Sequence, residues 1–127
     1  MNQATNNKKL LIVDDSKVSR MVIRARVKVV QPEWEIIEAA TGDEGIQIAL
    51  NQKPDFCTMD INMPGILGTD AAEQILQQLP DLRLVIFSAN IQEAFQERTK
   101  NMGALFVAKP VTEKSIAEAL RYFTESV

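Results

Sequence analysis

The sequence predicts an α/β fold built on one doubly wound parallel sheet with helices on both faces. Three observations lead there. Four apolar runs are short and nearly continuous, as suits strands covered on both sides. The stretches between the runs carry apolar residues at helical spacing. Strand and helix signals also alternate without a linker, repeat or low-complexity segment over 127 residues, a length one domain accommodates with a real core.

The first strand is "LLIV" (10–13), followed by Ser16 as an N-cap and by Val18, Met21, Val22, Ala25 and Val29 as the apolar stripe of the first helix. "WEIIEAA", from Trp34, mixes apolar residues with Glu35 and Glu38 and fits an edge strand. In "TGDE", Thr41 and Glu44 have capping-box spacing and open a helix bearing Ile46, Ala49 and Leu50. "FCTM" (56–59) is the third strand, and Ala72, Ile75, Leu76 and Leu79 mark the third helix. "LVIF" (84–87) precedes a helix with Ile91, Phe95 and Met102 that Gly103 ends as a C-cap. "ALFVA" (104–108) is the last strand; after Thr112, Ile116, Leu120 and Phe123 share one face of the last helix. Right-handed crossovers between five such units favour an open (βα)5 sheet in the flavodoxin-like order 2-1-3-4-5. The reading is a single domain over 1–127, with its core at about 9–124 and a polar extension at 1–8.

Composition narrows the chemistry. The chain has no histidine and one cysteine, Cys57, so Ser-His-Asp and Cys-His catalysis, an internal disulfide and zinc sites of the usual ligands are excluded. Cys57 sits in apolar "DFCTMD" and reads as an inert core thiol. A net charge of −3 gives no general attraction to nucleic acid or anionic membrane, and neither is expected as a partner. No apolar run approaches the roughly 18 residues that span a bilayer, and the polar start lacks a signal-peptide core, so a cytoplasmic location is expected.

In the order 2-1-3-4-5, ligands bind at the carboxyl ends of the strands, where strands 1 and 3 are neighbours. Asp14 and Asp15 end strand 1, Asp60 strand 3, Ser88 strand 4 and Lys109 strand 5. Any one of them alone would suit a helix cap or a turn; four separate stretches converging on one rim is a different matter. Two carboxylates ~5 Å apart repel by roughly 3 kcal/mol at an effective dielectric of about 20. Mg²⁺, a hard cation that takes oxygen ligands and is commonly held by carboxylates and phosphate oxygens, resolves that repulsion. A lysine adds a point charge for phosphate.

These residues resemble the receiver domains of two-component response regulators, especially the single-domain, chemotaxis-like kind. The likeness runs from about Lys9 to Phe123 through five separated motifs in order. It implies that Asp60 in "MDINMPGILG" is phosphorylated, that Asp15 ligates magnesium directly and Asp14 through water, and that the Asn62 backbone carbonyl is a further ligand. It gives Ser88 in "FSA" the role of switch hydroxyl, Lys109 in "AKP" that of the phosphate-binding lysine, and Phe106 that of the switch aromatic. It also implies a cis bond before Pro110. The donor is then a histidine kinase or a histidine phosphotransfer protein, and the receiver of the signal a downstream target protein that docks on helix 4, strand 5 and helix 5. The chain itself is a phosphorylated signalling domain and no enzyme beyond self-directed phosphotransfer and autodephosphorylation. Ser88 stands where threonine is frequent and Phe106 where tyrosine is frequent, so an output needing a tyrosine hydroxyl is unsupported. Asn62 and Asn90, each two residues beyond a site residue, flank the path of the water that hydrolyses an acyl phosphate.

Three other readings fit less well. A Mg²⁺-dependent aspartyl phosphatase calls for D-x-D where this chain has "DDS". An FMN binder wants backbone donors and hydroxyls where "DDSKVSR" places acids. A receiver-like interaction module indifferent to phosphorylation would have no use for the acids, hydroxyl and lysine together. Lys17, Arg20, Arg24 and Lys28, with Arg26 nearby, are either a solvated face of the first helix or a cationic docking edge. Ile91, Ala94, Phe95 and Tyr122 are candidates for a signalling face, or for the core.

Overall fold

The computed structural model describes residues 7–125. Ten elements alternate strictly: β1 (Lys9–Val13), α1 (Lys17–Val30), β2 (Glu35–Ala39), α2 (Gly42–Gln52), β3 (Phe56–Met59), α3 (Gly68–Gln78), β4 (Arg83–Ser88), α4 (Glu93–Asn101), β5 (Leu105–Ala108) and α5 (Glu113–Thr124). All strand pairs are parallel, in the order β2-β1-β3-β4-β5, and the mixed-polarity strand β2 lies at an edge as expected. Most of the expected extension at 1–8 lies outside the described residues.

Alternation along the strands explains the continuous apolar runs. Leu11 and Val13 face one core with Cys57, Met59, Leu84 and Ile86, which α2, α3 and α4 cover with residues such as Ala49, Ala72, Ile75 and Phe95. Leu10 and Ile12 face the other with Val85 and Phe87, which α1 and α5 cover through Ile23, Val27, Ile116, Leu120 and Phe123. Local signals agree with these positions. Thr41 Oγ1 accepts the Glu44 N–H, while the Glu44 carboxylate accepts the N–H of Ala40 rather than that of the cap itself. Thr112 and Ser115 cap α5 reciprocally. Gly103, at φ +82°, turns the chain out of α4, and the Tyr122 hydroxyl donates to its carbonyl at 2.8 Å.

Helix α1 departs from expectation. Its buried residues are Ile23 and Val27, whereas Val18 is 69% exposed, Met21 56% and Val29 83%; Ala25 is exposed too and Val22 half-buried. The helix holds two apolar stripes, and the narrower one faces the sheet. Cations flank that buried line. Arg20 Nε and Arg24 Nη1 both reach the Glu38 carboxylate on β2, at 2.9 and 3.1 Å, and Lys28 Nζ donates to the carbonyls of Trp34 and Pro32. Their stems cover apolar surface while their heads find acceptors at its rim. Three of the four cations proposed as a docking edge are therefore engaged within the chain. Ile91, expected on α4, precedes that helix and is exposed.

Candidate functional site

The strand ends deliver the acids to one rim. The Asp14 N–H continues the ladder to the Ala39 carbonyl at 3.1 Å, and the Asp60 N–H donates to the Val13 carbonyl at 2.9 Å, so both residues leave the sheet side by side. Carboxylate oxygens of Asp14, Asp15 and Asp60 lie within 4.8 Å of one another. Asp14 and Asp60 are buried and Asp15 is exposed. Three acids that offer oxygen donors this close together could hold a hard cation.

Each charge has a local anchor. Asp14 Oδ1 accepts the Ser16 N–H at 2.9 Å, and its Oδ2 accepts Lys109 Nζ at 2.8 Å. Lys109 Nζ also stands 3.6 Å from Asp60 Oδ2, while Asp60 Oδ1 accepts the Ile61 N–H at 2.8 Å. The Asp60 carboxyl is raised from its ordinary pKa chiefly by burial; Lys109 pulls it down, Asp14 pushes it up, and the Ile61 N–H and Asp15 act more weakly in those two directions. One lysine shared between two buried acids, beside a third, leaves the cluster short of positive charge.

Ser88 closes the rim from β4. Its Oγ is buried and accepts the Asn90 N–H at 3.0 Å, and its carbonyl accepts the Lys109 N–H at 2.9 Å, tying the ends of β4 and β5 together. The Lys109–Pro110 bond is cis, as the resemblance implied. Phe106 pairs with Ile86 in the ladder, two register pairs further from the rim than Ser88, and strand alternation puts it on the Ser88 face. The ring is half-buried and lines a groove of about 640 Å³ with Glu93, Gln96, Glu97, Lys100 and Leu105. Asn62 is exposed beside the mouth, and its Oδ1 accepts Asn90 Nδ2 at 2.9 Å.

Sequence reasoning missed three participants. Ser19 Oγ lies 3.4 Å from Lys109 Nζ; its place on the first turn of α1, three residues after the Ser16 cap, was the available signal. Arg20 Nη1 donates to the Asp14 carbonyl at 2.7 Å. Gly68 opens α3 against the backbone of Asp60 and Ile61, and nothing local in "GILG" shows that contact. A larger cleft, of about 760 Å³, opens at the other end of the sheet beside Trp34, Phe56 and Arg83 and includes none of Asp14, Asp15 and Asp60.

Comparison with known proteins identifies the family and the fold. Residues 10–121 match the family described as the response regulator receiver domain. The chemotaxis protein CheY of Thermotoga maritima is 34% identical over 115 residues, covering 89% of this chain and 94% of that protein. The transcriptional regulatory protein LiaR of Bacillus subtilis is 32% identical over 89% of this chain, but the match takes in 54% of LiaR; the chain spans about half the length of such relatives. A CheY-like receiver domain from Methanospirillum hungatei superposes with a TM-score of 0.83 at 23% identity over 90% of each chain, which speaks for the fold.

Proposed function

The chain belongs to the response regulator receiver domain family of two-component systems, and from that premise we propose that Asp60 accepts a phosphoryl group from a partner's phosphohistidine and thereby switches a protein-binding face made by α4, β5 and α5. The observation that carries this reading is the charge deficit at the rim: three carboxylates within 4.8 Å with Lys109 as their cation. The donor set fits Mg²⁺: Asp15, Asp60 and the Asn62 carbonyl would hold it directly and Asp14 indirectly, and bound there the ion would supply positive charge to offset the carboxylates and the phosphoryl oxygens.

The chain's own residues do the rest. A free Asp60 oxygen forms the new P–O bond as the P–N bond of the phosphohistidine breaks, and the leaving imidazole keeps the electron pair and takes up a proton. Lys109, held by Asp14 between the two acids, swings its charge toward the incoming group. Ser88 keeps its hydroxyl proton to donate to a phosphoryl oxygen. The chain has no histidine, so the donor is another protein: a histidine kinase or a histidine phosphotransfer protein. The domain then acts as a signalling element on a downstream protein rather than as an enzyme, a nucleic-acid binder or a membrane protein, with the cytoplasm as its location. Among the described residues no helix is long and apolar enough to cross a membrane. The groove beside Phe106, floored by Ala104 and Leu105, supports α4–β5 as the docking face.

Incubation with acetyl phosphate and Mg²⁺ tests the proposal. Intact-mass analysis is expected to show one added phosphoryl group on the wild type and none on Asp60→Asn; equal labelling of both removes Asp60 from the role.

A further inference from the structure

Beyond the packing of Phe95 on the core, polar contacts tie helix α4 to other segments at two places, and the two differ. Toward its C-terminal end, Arg98 reaches three side chains of α3: Thr69 Oγ1 at 3.2 Å, Asp70 Oδ1 at 2.7 Å and Glu73 Oε1 at 2.8 Å. At its N-terminus the Gln92 cap makes no side-chain cap bond of its own. Instead Asn90 Oδ1 accepts the Gln92 N–H at 3.2 Å. The same amide spends its Nδ2 on Asn62 Oδ1, and the same residue spends its backbone N–H on Ser88 Oγ. Asn90 is thus one residue with three bonds: to the hydroxyl of β4, to the loop after Asp60, and to the first turn of α4.

We infer that the Asn62–Asn90 amide pair is a latch across the mouth of the site, and that its opening passes the state of Asp60 to the N-terminal end of α4. The inference rests on the reading of Asp60 as phosphoacceptor. When Ser88 turns toward a phosphoryl oxygen, its bond from the Asn90 N–H is lost or redirected, and a group arriving at Asp60 crowds the Asn62 side of the mouth. Both displacements act on the residue that holds Gln92. The N-terminal half of α4 is then released while Arg98 keeps the other half on α3, so the helix swings about a fixed point and reshapes the groove at Glu93, Gln96 and Phe106. Asn90 is on this account a positioning residue. Both amides are neutral and sit at the solvent edge, so the latch is weak, as a switch element has to be.

A double-mutant cycle reads it, with beryllofluoride as the phosphoryl mimic at saturating Mg²⁺ and the amide signals of residues 92–95 as the observable. Asn62→Ala keeps the backbone carbonyl and alters an exposed side chain. It is expected to move those signals, before any mimic is added, toward their beryllofluoride-bound positions, and to lower the half-saturating mimic concentration about two- to fivefold. In an Asn90→Ala background the same substitution is expected to change neither, because nothing remains for Asn62 to hold. If the wild type responds to the mimic while Asn62→Ala matches it in signal positions and affinity, the latch is refuted and the phosphoacceptor reading stands. Equal effects of Asn62→Ala in both backgrounds refute it too. A wild type that does not respond to the mimic at all overturns the phosphoacceptor reading, and the latch with it.

Discussion

A Cβ on Gly68 would stand 1.6 Å from the carbonyl oxygen of Asp60 and 2.9 Å from the Cα of Ile61. The obstacle is backbone, which cannot turn aside as a side chain can, so the first residue of α3 sets how closely that helix approaches the candidate phosphoacceptor. Gly103 is a different case: its φ is +82° with open space around it. Gly68→Ala should therefore cost about 3 kcal/mol or more in urea unfolding, against about 1 kcal/mol for Gly103→Ala; equal losses would mean that α3 yields freely. At this scale the sequence was informative wherever a residue follows its own strand. Asp14, Asp15, Asp60, Ser88 and Lys109 each adjoin an apolar run, so their common rim was legible. Cys57 was legible too: it is fully buried, and burial pushes its thiol up, away from reactivity. Gly68 and the Asn62–Asn90 bond were not, because each depends on a contact between segments whose spacing carries no local signal; Ser19 had its place on the first turn of α1 as a signal, but not its contact with Lys109.

Elements show a sharper limit. Spacing correctly gave α1 a helix but chose the wrong face, because its sequence carries two apolar stripes. The charged residues that suggest a solvated side are those that frame the buried one, held by Glu38 and by backbone carbonyls. Which stripe turns inward depends on acceptors supplied by β2, and these lie outside the helix. Stability measurements separate the two phases. Ile23→Ala removes a side chain only 1% exposed and should cost about 2 to 5 kcal/mol. Val18→Ala should stay within about 0.5 kcal/mol of the wild type. A reversal of that order in denaturant midpoints would restore the face read from sequence. The exposed stripe of Val18, Met21 and Val29 remains as apolar surface beginning next to the acid cluster.

Across the whole molecule the parallel sheet separates two jobs. One end gathers acids, hydroxyl and lysine; the other lines its cleft with packed aromatics, Trp34 tilted against Phe56 at 4.9 Å and Phe56 stacked on Phe123 at 4.8 Å between ring centroids. That division follows from topology alone. Parallel strands point their carboxyl ends the same way, and the reversal of order between β1 and β3 leaves the crevice there. Topology was legible because strand count, alternation and crossover hand restrict the choices to few; the coupling between loops was not, since it is set by side-chain pairs at the rim. The most direct measurement of the central claim is reductive trapping of the phosphorylated protein. Borohydride converts an aspartyl phosphate to homoserine, and peptide mapping after treatment with acetyl phosphate and Mg²⁺ should find homoserine at position 60 alone. Homoserine at position 14 or 15, or none at position 60 in a protein whose mass shows the added phosphoryl group, would contradict the account.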